Sequence, residues 1–449
     1  MSEIASGKIS HKQYIMLALP LTLATISTPL LGAVDTAVVG YLADPSYLGG
    51  VAVGTLIFNT LYWLFGFLRV STSGFTAQAA GAGNNRDISL HFIRPALLAG
   101  AIGFLFILFQ WPIREGAMFF IQPPESVAAQ GISYFDIRIW GAPFALLNFV
   151  ILGWLIGQSK VKFTLGLQFG CNLLNMILDV LFVYSFQMGA AGVGLATLLS
   201  EVLAVVIGLL FILKYTGLHI RLLKDVEALS VKPMMKMLKV NKDLFIRTAC
   251  LLTVFAIFTS TGASMGENVL AANAILFQIH LIMAYFFDGL ANASSILSGK
   301  AVGARDEQLF NKTLYMGCLW STLLAVLLTI GMAVGGSSII SLFTNISEVQ
   351  EIAVLYGGWI VWFPIASFAS LQLYGFYIGT TQAAPVRNSL IISLIVFLSC
   401  VWVTVPLWGN HGLWLSFLLF TVTRSMTLWV FFPQIRQRVF KKNHLRCFT

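Results

Sequence analysis

Residues 171–183 read CNLLNMILDVLFV, an apolar run carrying Asn172, Asn175 and Asp179 at spacings i, i+3 and i+7. On a helix that spacing puts the three polar side chains on one stripe. A long apolar helix is what a bilayer demands, because lipid offers no partner for backbone N–H and C=O groups. A carboxylate at that depth costs roughly 2.5–3.5 kcal/mol even on lenient insertion scales, so an acid retained there points to function. A second such acid, Asp35, stands in PLLGAVDTAVVG at 29–40. Two carboxylates with amide oxygens suit a proton or a hard cation such as sodium, not a soft metal. The plainer alternative for the stripe is polar glue between helices.

Outward from this segment, apolar runs of spanning length recur along the chain. Of its 449 residues 58% are hydrophobic and 10% charged, far from soluble averages. Twelve spans are expected, at roughly 13–40, 47–72, 92–115, 127–156, 162–186, 189–214, 242–265, 268–299, 311–336, 349–380, 386–408 and 411–432. The fold class is therefore all-α and integral to the membrane.

The net charge of +9 does not imply nucleic acid. Most Lys and Arg fall at one set of ends and loops, including a cluster from Lys214 to Arg247. Arg69, Arg138 and Arg424 are expected inside spans, and Arg114 in a loop on the opposite side. The positive-inside rule then puts both termini and the 215–241 loop in the cytoplasm. The basic tail RQRVFKKNHLR is expected along the anionic inner leaflet. The five cysteines are isolated, which indicates neither a zinc site nor a disulfide framework. The N-terminus lacks a cleavable signal pattern, so the first span is expected to be retained.

The chain repeats itself once, at an offset of about 219–222 residues. VAVGTLIFN from Val51 matches LAANAILFQ from Leu270, IWGAP ending at Pro143 matches IVWFP ending at Pro364, and GAAGVGLA from Gly189 matches GNHGLWLS from Gly409. Arg86-Asp87 falls on Arg305-Asp306, and Arg69 falls opposite Asp288. An even six spans per half gives both halves the same orientation. The expected organisation is a six-helix bundle over 1–214, a cytoplasmic linker over 215–241, a second bundle over 242–432 and a tail over 433–449. Asp35 falls opposite Val254, and Asp179 opposite Ser399 or Cys400, so the acidic pair belongs to the first half alone.

Pro20, Asp35 and the DTAVVGYL run, with YFDIRIWGAPF in the fourth span and N-x-x-x-D at Asn175 and Asp179, resemble the multidrug and toxic compound extrusion (MATE) transporters. Within that family they resemble the DNA-damage-inducible protein F branch. The resemblance implies two pseudo-symmetric six-helix bundles and efflux of small-molecule drugs or amphipathic cations. It also implies inward flow of H+ or Na+ as the coupling ion, with no cofactor. Asp35, Tyr134, Asn175, Asp179 and Thr197 match the family's polar cluster by position, and Pro20 matches a helix-bending proline. A monomer in contact with membrane lipids, in a bacterial inner membrane, is the expected setting. The second half departs from the pattern, since its first span has no proline and no acid at the position matching Asp35.

Asp136, Arg138 and Glu201 are expected to form ion pairs within the first bundle, although Asp136 and Arg138, at i and i+2, face different sides. Asp288 and Arg69 are candidates for substrate contact or for ion pairing, Asp288 with Arg424. The rival class is a flippase for lipids or lipid-linked precursors, disfavoured by the few intramembrane cations. No HExxH, GxSxG or Walker A pattern is present, so neither an intramembrane enzyme nor direct ATP drive is indicated.

Overall fold

The structure, a computed structural model, describes residues 9–40, 42, 44–215 and 230–441, with side chains at 28–33, 35, 36, 215, 231, 436, 438 and 441 set aside. The first half runs α1 (His11–Gly40), α2 (Pro45–Phe65), α3 (Phe67–Gly81), α4 (Asn85–Leu108), α5 (Gln110–Ile121), α6 (Glu125–Arg138), α7 (Ala142–Gly157), α8 (Val161–Val180) and α9 (Gly189–Tyr215). The second runs α10 (Val231–Ala263), α11 (Glu267–Ala304), α12 (Glu307–Ser341), α13 (Ser347–Gly379), α14 (Ala383–Trp408) and α15 (Asn410–Arg436). Among the described residues eleven helices are long and apolar enough to cross a membrane. With the 30-residue α1 they make the twelve spans of the fold. The chain is a multi-pass membrane protein.

Some first-half spans are built in two pieces. α2 and α3 meet at Gly66, whose N–H turns back to the Trp63 carbonyl. α6 and α7 meet at a tight turn, Ile139–Gly141, with Pro143 in the first turn of α7. Proline fits there because a first-turn N–H has no helical partner to lose. Its repeat partner Pro364 instead lies inside the unbroken α13. Helix starts carry side-chain caps. Asp44 accepts the Ser46 N–H at 2.8 Å, and this bond holds its carboxyl below the usual range. Asn84 caps α4 and Asp306 caps α12 in the same way.

Packing makes the internal repeat explicit. A Cβ on Gly153 would lie 2.2 Å from the Arg69 carbonyl oxygen, and one on Gly375 would lie 2.1 Å from that of Ala291. Both members are displaced by about 222 residues (153 to 375, 69 to 291), as are the caps Asn84 and Asp306. Arg69 is therefore equivalent to Ala291, not to Asp288. The register that aligned the two charges was off by about one helical turn, the slip that helical periodicity leaves easiest.

Contacts divide the chain into two units. One comprises Ile26–Ala80 and Asn84–Met237. The other comprises the chain up to Thr25, Gly81–Gly83 and everything from Leu238 onward. The division falls inside α1, so the first part of α1 goes with the second half and not with a bundle over 1–214. Side chains explain this. The Tyr14 hydroxyl lies 2.8 Å from Ser294 Oγ and donates to the Leu290 carbonyl at 3.1 Å. Gln372 donates to Ser294 Oγ at 2.5 Å and accepts from Ser321 at 2.8 Å. Thr22 sits where a Cβ on Gly289 would be. The second unit also ties α11 to α15 through reciprocal amide bonds between Asn273 and Asn410, at 2.8 and 2.9 Å.

Gly375→Ala should lower the melting temperature of the purified protein. Alanine gains about 1 kcal/mol of helix propensity over glycine. Overpacking against a fixed carbonyl costs about 1–3 kcal/mol or more, and it wins. Gly331→Ala is the control, since a Cβ there meets nothing within 4 Å; it should leave the melting temperature unchanged or raise it.

Candidate functional site

The stripe on α8 is real. Asn172, Asn175 and Asp179 are all among the buried residues of that helix, with Asp179 at 0% exposure and Asn175 at 1%. Asn175 Nδ2 donates to Thr197 Oγ1 on α9 at 3.2 Å, and Thr197 in turn donates to the Val193 carbonyl at 3.0 Å. Asn172 Nδ2 reaches the other way, to Ser27 Oγ on α1 at 3.1 Å. Farther along, the Tyr184 hydroxyl donates to the Val38 carbonyl of α1 at 2.8 Å. α1 is thus pinned to the α8 region at two points, and Asp35 stands on the helix between them. The Asp35 side chain lies outside the described residues, as does that of Pro29. Pro20 lies within α1 at a half-buried position, and having no N–H it leaves one carbonyl of the preceding turn without its helical donor.

A second layer packs beside this one. Tyr134 and Arg138 are i, i+4 on α6, Thr197 and Glu201 are i, i+4 on α9, and Phe58 and Tyr62 are i, i+4 on α2, so each pair shares a face. Arg138 Nη1 donates to the Tyr134 hydroxyl. Its guanidinium lies 4.8 Å from the Phe58 ring centroid and 5.9 Å from that of Tyr62. Glu201 is within electrostatic reach of Arg138 and Tyr62, with its Oε2 fully buried. Gly54 makes room for this arrangement, since a Cβ there would fall 2.2 Å from Tyr134 Cδ1. Tyr134 also lies 3.5 Å from Thr55 Oγ1. The layer offers a cation held by aromatic faces beside a half-buried carboxylate.

Other expected residues fall elsewhere. Asp136 is not in the Arg138–Glu201 layer. It is exposed and pairs with Arg114 of α5 at 2.9 Å, because the i, i+2 step from Arg138 turns it to the opposite face. Arg69 is half-buried on α3. Asp288 is half-buried on α11, within electrostatic reach of Arg424. Arg247 departs from the basic cluster in which the sequence groups it. It lies well inside α10 with its guanidinium 4.6 Å from the Tyr374 ring centroid. The aromatic cage around Arg138 was not read from the sequence, although the i, i+4 pairing of Tyr134 with Arg138 was there to see.

The MatE family profile matches residues 20–181 and 244–403, one stretch in each half of the repeat. The chain belongs to the MatE family. This MatE chain is 36% identical over 422 residues to the DNA damage-inducible protein F of Escherichia coli, covering 93% of this chain and 91% of that one. It is 22% identical over 435 residues to a probable multidrug resistance protein NorM of Bacillus cereus, covering 93% and 94%. Its fold matches a crystal structure of a MATE in the bent conformation with a TM-score of 0.87 at 18% identity, covering 97% of each chain. MatE members are transporters, not enzymes.

Thr197→Val should remove the Asn175–Thr197 bond. That costs about 0.5–1.5 kcal/mol, read as a lower melting temperature in detergent. Asp136→Asn removes an exposed ion pair worth about 0–1 kcal/mol, and should leave both stability and transport near wild type.

Proposed function

We propose that this MatE chain is a cation-coupled exporter of amphipathic, often cationic compounds, with H+ favoured over Na+ as the coupling ion. The observation that carries the reading is the wholly buried Asp179, on a stripe with Asn175 and Asn172 that is bonded to α9 on one side and α1 on the other. An acid retained at that depth is costly and functional by default. Asp35, on the α1 segment clamped to α8, is the proposed partner carboxylate. Tyr134 and Thr197 complete the polar lining.

In the proposed cycle a proton or sodium ion enters from outside and cancels the charge at Asp35 and Asp179. The hydrogen bonds holding α1 to α8 then rearrange, α1 bends near Pro20, and bound compound leaves outward. The shift between states can be no larger than the difference in cation affinity between them. Both termini are proposed to lie in the cytoplasm, on the charge distribution.

A second reading, lipid or lipid-linked-precursor flipping, has one observation in its favour. α13 and α15 form an apolar groove of about 690 Å³, lined by Trp362, Ile365, Phe368, Met426, Trp429 and Val430. Several of these face outward, where acyl chains would lie.

The test uses proteoliposomes loaded with a fluorescent cationic dye, under an imposed pH gradient or an imposed sodium gradient. Wild type should move dye under the pH gradient, and Asp179→Asn and Asp35→Asn should fall to background while purifying as folded protein. Full export by Asp179→Asn would sink the site. Dye movement under sodium alone would keep the site and change the ion. Movement under neither gradient, with lipid probes translocated, would favour flipping.

A further inference from the structure

The second unit carries a buried cation that the antiport reading does not use. Arg424, near the middle of α15, is only 6% exposed. Its Nε and Nη2 are both buried without a hydrogen-bond partner among the described residues. These two atoms form the side-on edge of the guanidinium, the edge that takes both oxygens of a carboxylate in parallel bonds. Arg247 of α10 lies within electrostatic reach, its own Nε likewise buried and unpartnered and its guanidinium stacked on Tyr374 of α13.

Among the described residues the charges within reach of Arg424 do not balance. Asp288 is the acid within reach of Arg424, against two guanidinium groups. Three other acids of the unit are engaged elsewhere. Asp243 pairs with Arg387 at 2.5 Å, Asp306 caps α12, and Glu348 accepts from Asn268 at 2.7 Å. An uncompensated guanidinium in a low-dielectric bundle is costly. Beside Arg424 stands an apolar wall. His280, within its electrostatic reach, packs at 3.8 Å from Phe363, 4.9 Å from Phe417 and 5.4 Å from Phe277, ring centroid to centroid.

We propose that the second unit holds an oxyanion site at Arg424, with Arg247 in support, which takes the carboxylate or sulfonate head of an amphipathic anion. The side-on fork supplies the specificity, since a lysine would offer only a point charge. The aromatic wall takes the apolar body, and Asp288 competes with the ligand for the cationic pair. This site shares no residue with the Asp179 stripe and needs no ion gradient to be occupied.

Binding is measured on the full-length protein in maltoside detergent, by thermal shift and by titration. The probes are sodium decanoate, sodium decanesulfonate, decyltrimethylammonium chloride, dodecyl phosphate, and sodium chloride at matched ionic strength. Decanoate and decanesulfonate should raise the melting temperature of wild type, and the cation and chloride should not. Arg424→Lys keeps the charge yet should weaken decanoate binding about tenfold or more, the loss of a charged two-bond contact. Asp288→Asn should tighten it by removing the competitor. Should Arg424→Lys fail to fold, Arg424→Gln, which removes the buried charge, is read the same way. An equal shift with chloride, undiminished decanoate binding in the Arg424 variant, or weaker binding in Asp288→Asn would overturn the proposal. A response to dodecyl phosphate with none to decanoate would replace it with a phosphate-headed lipid. Dye transport plays no part in these readouts, so their failure leaves the antiport reading standing, and the converse holds.

Discussion

Lipid cannot hydrogen-bond a peptide group, and the architecture follows from that constraint. Every described span is helical because only a helix satisfies its own backbone. Helices of equal greasiness to the lipid gain no hydrophobic drive for association, so close approach of small residues must hold them together. Gly153 on the Arg69 carbonyl and Gly375 on the Ala291 carbonyl are that device used twice, once in each half. The repeat survives most plainly in these backbone contacts, where side-chain chemistry has no say.

Polar side chains are the other means of association, and the two halves spend them differently. The first half places an acid and two amides on α8 and a caged guanidinium beside a half-buried carboxylate on α6 and α9. The second half uses amides and hydroxyls as neutral ties, at Asn273–Asn410 and at Ser321–Gln372–Ser294. Around Arg424 the described charges are Arg247 and one acid, Asp288. α1 belongs to both stories, anchored by Tyr14 in the unit of the second half and by Ser27 and Val38 in the unit of the first.

Much of this was legible in the chain. Spans could be read because hydropathy acts residue by residue over twenty positions. The stripe of Asn172, Asn175 and Asp179 could be read because helical geometry alone sets which residues share a face. Positions within one helix turn were harder. Asp136 and Arg138 stand two residues apart, yet one is at an exposed rim with Arg114 and the other in an aromatic cage. Arg247 looked like part of a basic loop because composition changes gradually across a membrane boundary, whereas burial depends on which helices surround the residue.

The sequence by itself determined the membrane class, the helix count, the duplication and the family, because each is a sum over many residues or a local periodicity. Only the tertiary structure decided that the repeat runs one turn out of the register suggested by its charges. Only it divided α1 between two units and left the side-on edge of Arg424 unfilled. Those are facts about which side chains meet across helices far apart in the chain, and no local pattern encodes a meeting between distant segments.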